Sequence, residues 1–155
     1  MTSTKIEDAL RSASTAVLET MFFSDVADAE EGQTVQEDAI ACILHCNGAE
    51  NGTFTVAIDP PALQVLCAAF CGLEDEPSLI EQREMICELT NMLAGSTLSA
   101  YAPDRFSTLS SPQLCGIEQH AKLAQLAGQQ DHLASVSLLV EGGLLTVSCS
   151  LRAAA

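Results

Sequence analysis

The stretch SLIEQREMICELTNMLAGSTLSA, Ser78–Ala100, predicts a long helix from which the rest of the fold can be worked out. Ser78 and Glu81 have the spacing of a capping box, in which the hydroxyl and the carboxylate each satisfy a free backbone N–H of the first turn. The next proline along the chain is Pro103. We therefore expect one helix from Ser78 to about Ala100.

The two sides of this helix differ in polarity. At about 100° per residue, a stripe roughly 60° wide contains Glu84, Glu88, Asn91 and Gly95. The opposite side collects the apolar residues Met85, Ile86, Leu89 and Leu93. The apolar side is expected to face the core, so the polar stripe points away from it. Gly95 leaves room there for another surface to approach closely.

Glu88 and Asn91 stand on successive turns, so a carboxylate and an amide can act on one target together. Most Glu-x-x-Asn pairs are only the solvated side of an amphipathic helix, and that alternative stays open on spacing alone. Asparagine is nevertheless a poor helix former at an exposed interior position. A carboxylate attracts cations or accepts protons, and an amide can orient a water molecule for attack. Without a neighbouring nucleophile or second metal ligand, the pair is not expected to perform hydrolysis alone.

The chain before this helix is predicted to contain a helix, a loop and a β-hairpin. Apolar residues at helical spacing predict a first helix to about Phe23, with Phe22 and Phe23 in the core. The charged segment Asp25–Asp38 is expected to be a solvated loop. Two β-rich runs within Ala39–Pro60 predict a hairpin, with a turn containing Gly48, Asn51 and Gly52. Asp59 is then placed to cap a second helix that ends at Gly72.

The chain after the long helix is predicted to be rich in strands. APDRFSTLSSPQ, residues 102–113, is expected to form a loop, and LCGIEQHAKLAQL, residues 114–126, to contain strands. His132–Arg152 is expected to close the chain as a hairpin around Gly142 and Gly143, because a two-residue glycine turn suits tight antiparallel pairing.

A helix followed by a hairpin thus occurs twice, which indicates an internal repeat. Aligning the two helices places Thr15 opposite Thr90 and Leu18 opposite Leu93, and it places the alanines Ala13 and Ala16 opposite Glu88 and Asn91. We predict one α/β (α+β) domain over residues 1–155, a pseudo-twofold repeat of helix plus hairpin, with long helices packed on a largely antiparallel sheet.

Composition restricts the function classes. The chain has 155 residues, 48% of them hydrophobic, which suffices for one core. Its net charge of −15 repels phosphate backbones and anionic lipids, so neither nucleic acid nor a membrane is an expected partner. No apolar run approaches the roughly 20 residues that span a bilayer, and the N-terminus lacks the apolar region of a signal peptide. The protein is expected to be cytoplasmic.

Cysteine and histidine are common metal ligands and catalytic residues. The seven cysteines are an odd number without a CxxC pattern, and we interpret them as reduced thiols of the core. Cys67 and Cys71 are spaced to hold a soft metal, a minor alternative because buried free cysteine is common. A thiol-based sensor is another, and for it we expect two cysteines that are close together and exposed. The three histidines form no ligand motif and are expected at edges or on the surface.

One motif resembles a known family. EMICELTNMLAGSTLS, Glu84–Ser99, followed by a proline at Ser111-Pro112, is similar to the signature of the CheX/CheC chemotaxis phosphatases. In that signature an acidic or serine residue is followed by glutamate, asparagine and a distal proline. With a single motif the chain is more similar to CheX than to CheC. The order of helices and hairpins also resembles that of the family.

The resemblance implies a phosphatase acting on a phosphorylated CheY-type response regulator. Glu88 and Asn91 are then the catalytic pair: Glu88 contacts the active-site lysine of the regulator, and Asn91 positions the attacking water. Glu84, Gly95 and Pro112 are expected to bind the partner. The family also implies a homodimer and no cofactor or metal of its own, since the Mg²⁺ belongs to the regulator.

An alternative from another class is a non-catalytic module, CheX-like or flagellar-switch-like, that binds a regulator without hydrolysing anything. The exposure of Glu88 and Asn91 discriminates the two hypotheses. Catalysis requires both side chains to be reachable by the partner.

Overall fold

The computed structural model describes residues 5–126 and 132–153. In chain order its helices and strands are α1 Lys5–Met21, β1 Ala27–Asp28, β2 Ile40–Gly48, β3 Glu50–Ile58, α2 Pro60–Cys71, α3 Leu79–Tyr101, β4 Ser107–Leu109, β5 Gln113–Cys115, α4 Ile117–Leu126, β6 Leu133–Val140 and β7 Gly143–Ala153. Within these residues, every helix is too short or too polar to cross a membrane.

The strands form one antiparallel sheet in the order β1-β6-β7-β3-β2-β4, with β5 also paired to β2. The two hairpins meet at the centre, where β3 pairs with β7 along its whole length. Each hairpin receives its outer neighbour from the other half of the chain: β1 pairs with β6, and β4 and β5 pair with β2. This exchange agrees with the predicted pseudo-twofold repeat, and the fold class is confirmed.

The two faces of the sheet differ in chemistry, because alternate residues of a strand point to opposite faces. The face under α1, α2 and α3 is apolar and includes Phe54, Val56, Val147 and Cys149. The other face carries hydroxyl groups, and Thr146 and Ser148 lie on it between the core residues of β7. There Ser137 Oγ and Thr146 Oγ1 are 2.9 Å apart, and α4 packs over this polar side.

Helix α4 corrects one prediction. Of residues 114–126, which were predicted to contain strands, only Leu114 and Cys115 belong to a strand, β5, and Ile117–Leu126 is a helix. Gly116 separates the two elements, and the segment after it is rich in Glu, Gln, Ala, Lys and Leu, which favour helices. The segment 102–113, predicted to be a loop, contains β4 and the first residue of β5. His120, expected at an edge or on the surface, is 3% exposed and lies 3.0 Å from Thr55 Oγ1 through its Nδ1.

Asp59 occupies the N-cap position of α2, but its side chain does not cap the helix. Its carboxylate instead accepts hydrogen bonds from the N–H of Gln36 at 2.7 Å and of Leu144 at 2.9 Å. Pro60 and Pro61 begin the helix and lack the N–H groups that a cap serves. Asp59 therefore ties the loop before β2 to the turn of the second hairpin.

Three smaller predictions were wrong. Asn51 and Gly52 lie within β3 and not in the turn, and a Cβ on Gly52 would overlap the carbonyl of Ser150 on β7. Helix α1 ends at Met21, close to the predicted end, and Phe22 is buried as predicted, but Phe23 is 77% exposed with a φ of 55°. Cys71 is exposed, whereas the predicted burial of Cys42, Cys46, Cys67 and Cys149 is confirmed.

Candidate functional site

Helix α3 is fixed at its N-terminus by the predicted capping box. Glu81 N–H donates to Ser78 Oγ at 3.1 Å, and Ser78 N–H donates to Glu81 Oε1 at 3.0 Å. The hydrogen bond from the Ser78 backbone lowers the pKa of the Glu81 carboxyl, because it favours the charged form. The cap sets where the helix begins, and therefore which of its residues face the solvent.

The exposed and buried sides of α3 are the ones that the sequence pattern predicts. Glu84, Glu88 and Asn91 are exposed. The apolar side is buried at Met85, Ile86, Leu89 and Leu93. Packing of that side on the sheet and on α1 holds the polar stripe outward.

The stripe borders an open groove of about 610 Å³ between α3 and the segment that carries β4 and β5. Its walls consist of Arg83, Glu84, Cys87, Glu88, Asn91, Leu109, Ser110, Ser111, Pro112 and Leu114. Four of the five predicted site residues, Glu84, Glu88, Asn91 and Pro112, therefore border one space.

The loop that carries Pro112 is held to the sheet by Ser110. Ser110 N–H donates to the His45 carbonyl at 2.8 Å, and His45 N–H donates to Ser110 Oγ at 2.9 Å. β4 and β5 pair with β2 on either side of His45, and these two bonds with Ser110 fill the gap between the two strands. The loop thus has a fixed position beside α3, with Pro112 partly buried.

Gly95 lies one turn beyond Asn91, in an adjoining groove between α1 and α3 that Ala13 and Ala16 also line. A Cβ placed on Gly95 would come no closer than 4.0 Å to a side chain, that of Leu109. Neither packing nor the backbone angles of this helical residue therefore require a glycine here.

Sequence reasoning missed six residues of the groove: Arg83, Cys87, Leu109, Ser110, Ser111 and Leu114. Helical spacing was a usable signal for two of them, since Arg83 and Cys87 precede Asn91 by eight and four residues. The two serines could not be placed from sequence, because their position depends on how the loop crosses β2.

The chemistry available in the groove is limited. It offers two carboxylates, one guanidinium, one amide, one thiol and two hydroxyls. Across residues 5–126 and 132–153, no group of three or more His, Cys, Asp or Glu side chains could hold a metal ion. Such a surface can position water and contact charged groups of a partner, but it lacks a histidine to activate either serine.

Comparison with solved structures identifies the architecture. CheX from Vibrio vulnificus matches with a TM-score of 0.72 at 13% identity, covering 97% of this chain and 100% of that one. CheX from Desulfovibrio desulfuricans matches with a TM-score of 0.71 at 17% identity, covering 96% and 99%. This chain has the CheX fold. The likeness extends over nearly the whole of both chains.

A third match is CheX from Borrelia burgdorferi in a complex with CheY, BeF3 and Mg²⁺, with a TM-score of 0.63 and 14% identity over 94% of this chain and 96% of that one. No protein-family model and no curated protein matches the chain by sequence. The relation to CheX is therefore one of fold, and the chemistry of the groove is the basis for assigning roles to its residues.

Proposed function

We propose that this protein is a phosphatase that removes the phosphoryl group from the aspartyl phosphate of a CheY-type response regulator. The observation that carries the proposal is the exposed pair Glu88 and Asn91, side by side in an open groove on the long helix of a CheX fold. A partner is suggested by the Borrelia burgdorferi relative, which was crystallised with CheY.

In this proposal the groove supplies positioning and the regulator supplies the reactive centre. The Asn91 amide hydrogen-bonds a water and holds it in line with the phosphorus. The water oxygen forms the new bond to phosphorus as the aspartate oxygen leaves with its electron pair, which regenerates the carboxylate and releases inorganic phosphate. Glu88 accepts a hydrogen bond from the regulator's lysine and orients the two proteins.

The other predicted residues surround this pair. Glu84 adds a carboxylate one turn before Glu88, Pro112 shapes the opposite wall, and Gly95 lets the partner approach the helix closely. The net charge of −15 favours association with a surface that presents lysine. We assign no cofactor to this chain, because Mg²⁺ is expected in the regulator.

The homodimer implied by the CheX resemblance belongs to the same proposal, with a sheet edge or the terminal hairpin as its expected interface. Sedimentation velocity measures it directly, and a monomer at micromolar concentration would contradict it.

The deciding experiment follows loss of phosphate from a panel of phosphorylated regulators. Glu88→Ala with Asn91→Ala is expected to slow decay to the regulator's own rate. The matched control is Glu118→Ala with Gln119→Ala, which removes one exposed carboxylate and one exposed amide from α4. An intact protein that accelerates no regulator in the panel, or a double variant as fast as the control, would overturn the proposal.

The same assay tests the non-catalytic alternative. Binding of a regulator by the intact protein without faster loss of phosphate would support that alternative. Glu88 and Asn91 are exposed and α1 covers neither of them, which supports catalysis, and catalysis also requires that a dimer mate leave both side chains exposed.

A further inference from the structure

Two cysteines touch at the base of the groove. Cys87 on α3 is half-buried in the groove wall, next in sequence to Glu88. Its Sγ lies 3.8 Å from the Sγ of Cys42, a residue of β2 that is 0% exposed. The contact is tertiary and joins residues 45 positions apart.

A third thiol lies nearby but differs in its surroundings. Cys115 on β5 pairs with Ala41, the neighbour of Cys42, and is also half-buried. Unlike Cys87, it does not line the groove. All seven cysteines are free thiols.

We propose that Cys87 and Cys42 form an oxidant-responsive pair, in which a hydroperoxide entering the groove oxidises Cys87 and Cys42 then closes a disulfide with it. The contact between the two sulfur atoms carries the proposal, together with the opening of Cys87 onto the groove. Cys42 is buried, so the pair differs from the two exposed cysteines expected of a thiol sensor. One reachable thiol suffices here, because the peroxide reacts only with Cys87 and Cys42 already touches that sulfur. Disulfides in reducing compartments are commonly transient and redox-sensing, which suits a pair reduced at rest.

The first step oxidises Cys87. Its thiolate attacks one oxygen of hydrogen peroxide, the O–O bond breaks, and the other oxygen leaves with the electron pair and takes a proton to become water. Cys87 is then a sulfenic acid. Cys87 is the thiol that reacts first, because Cys42 is enclosed and burial raises the pKa of the Cys42 thiol to about 12.

The second step uses Cys42. Its sulfur attacks the sulfur of Cys87, the S–O bond breaks, and the oxygen leaves as a second water with the proton of the Cys42 thiol. The two thiols lose two electrons in total, and the peroxide accepts them. Contact between the sulfur atoms offsets the low acidity of Cys42, because a held neighbour reacts as if highly concentrated.

The disulfide would act on the catalytic pair, a consequence that rests on the proposed function. An S–S bond is about 2.05 Å long, so the sulfur atoms must move together from 3.8 Å. This draws the turn that carries Glu88 and Asn91 toward β2. A displacement of about 1 Å in a positioning site costs roughly 100-fold in rate.

The test of the pair uses the full chain treated with hydrogen peroxide, alkylated, digested without reductant and analysed by mass spectrometry. We expect a linked peptide that contains Cys42 and Cys87, that disappears with reductant, and that is absent from Cys87→Ser and from Cys42→Ser. The matched control Cys115→Ser retains it. In Cys42→Ser, dimedone is expected to trap Cys87 as the sulfenic acid. Absence of the linked peptide from the intact chain, or its persistence in Cys87→Ser, would refute the pair.

A second measurement separates this inference from the proposed function. Oxidised protein is expected to lose at least about 10-fold in phosphatase rate and to recover with reductant, whereas Cys87→Ser is insensitive to peroxide. If the disulfide forms but the reduced protein has no activity, the proposed function fails and the redox pair stands. If the reduced protein is active and the linked peptide never forms, the redox pair fails alone.

Discussion

In the first half of the chain α1 precedes the hairpin β2–β3, and in the second half α3 precedes the hairpin β6–β7. The two helices bury equivalent positions: Leu18 and its counterpart Leu93 are each 0% exposed. They differ at the aligned positions that carry Glu88 and Asn91 in α3, where α1 has Ala13, which is only 7% exposed, and Ala16, which is exposed. Core positions thus maintain the repeated architecture, while an exposed position such as that of Ala16 and Asn91 can change at little cost in folding free energy.

The halves also differ in their connections. Among the residues that the structure describes, the first hairpin continues into a helix, α2, and the second does not, while α4 belongs to the second half. Each of these additions places a buried polar residue against the other half: Asp59 bonds to Leu144, and His120 bonds to Thr55. Changing residues in only one of the two halves tests what each difference contributes.

The largest effect is expected at the bond between the halves. Asp59→Ala leaves the buried N–H of Leu144 without its acceptor, and it also frees the N–H of Gln36. We expect a loss of about 3–4 kcal/mol in the free energy of unfolding, measured by urea denaturation. Asp38→Ala removes an exposed carboxylate from the preceding loop and serves as control. A loss no larger than that of the control would contradict the role of Asp59.

The second prediction moves the amide from one helix to the other. Asn91→Ala is expected to lower the dephosphorylation rate roughly 100-fold, because the water is no longer positioned. Adding Ala16→Asn should not restore the rate, since its neighbour Ala13 supplies no carboxylate. Restoration by Ala16→Asn would show that the two helices are interchangeable, contrary to the comparison.

The third prediction concerns pH. Burial lowers the pKa of His120 from 6.5 to about 4. As pH falls below 6.5, His120 binds a proton in the unfolded chain but not in the folded chain. The free energy of unfolding therefore decreases until the pH reaches the pKa of His120 in the folded chain. Between about pH 7 and about pH 5 this residue is expected to account for a loss of about 2 kcal/mol.

His120→Gln should flatten this part of the dependence of the unfolding free energy on pH, and His45→Gln, at an exposed position, should leave it unchanged. Identical slopes for the two variants would contradict the assignment of the effect to His120.

The smallest effect is expected at Gly95, whose counterpart in α1 is Thr20 when the helices are aligned on Thr15 and Thr90. Gly95→Ala should stabilise the fold by up to about 1 kcal/mol, because alanine favours helix and meets no close neighbour. If the regulator packs closely against Gly95, the same variant is expected to bind the regulator more weakly, as measured by calorimetry. Higher stability with unchanged affinity would remove Gly95 from the interface.

Sequence was most informative where structure is decided locally. The Ser78 capping box and the apolar period predicted α3, and with it the shared face of Glu84, Glu88 and Asn91. Helix α4 was missed because a short segment with mixed polarity was interpreted as strands, although its residue types favour helix.

Sequence was least informative where structure depends on distant contacts. The bonds between Ser110 and His45, the bond that Leu144 N–H donates to the Asp59 carboxylate, and the contact between Cys42 and Cys87 all join residues far apart in the chain. No periodic pattern encodes such pairs, because they arise only when the two halves pack together. The first and the last of these contacts involve Ser110 and Cys87, which line the groove.

The pairing of β3 with β7 at the centre of the sheet also has a kinetic consequence. Ile58 pairs with Leu145, so the central ladder joins residues about 90 positions apart. Closing so long a loop is slow, and until β7 docks the inner edge of β3 presents unpaired N–H and C=O groups to other chains. We expect refolding on a scale of milliseconds to seconds and greatest susceptibility to aggregation before this ladder closes.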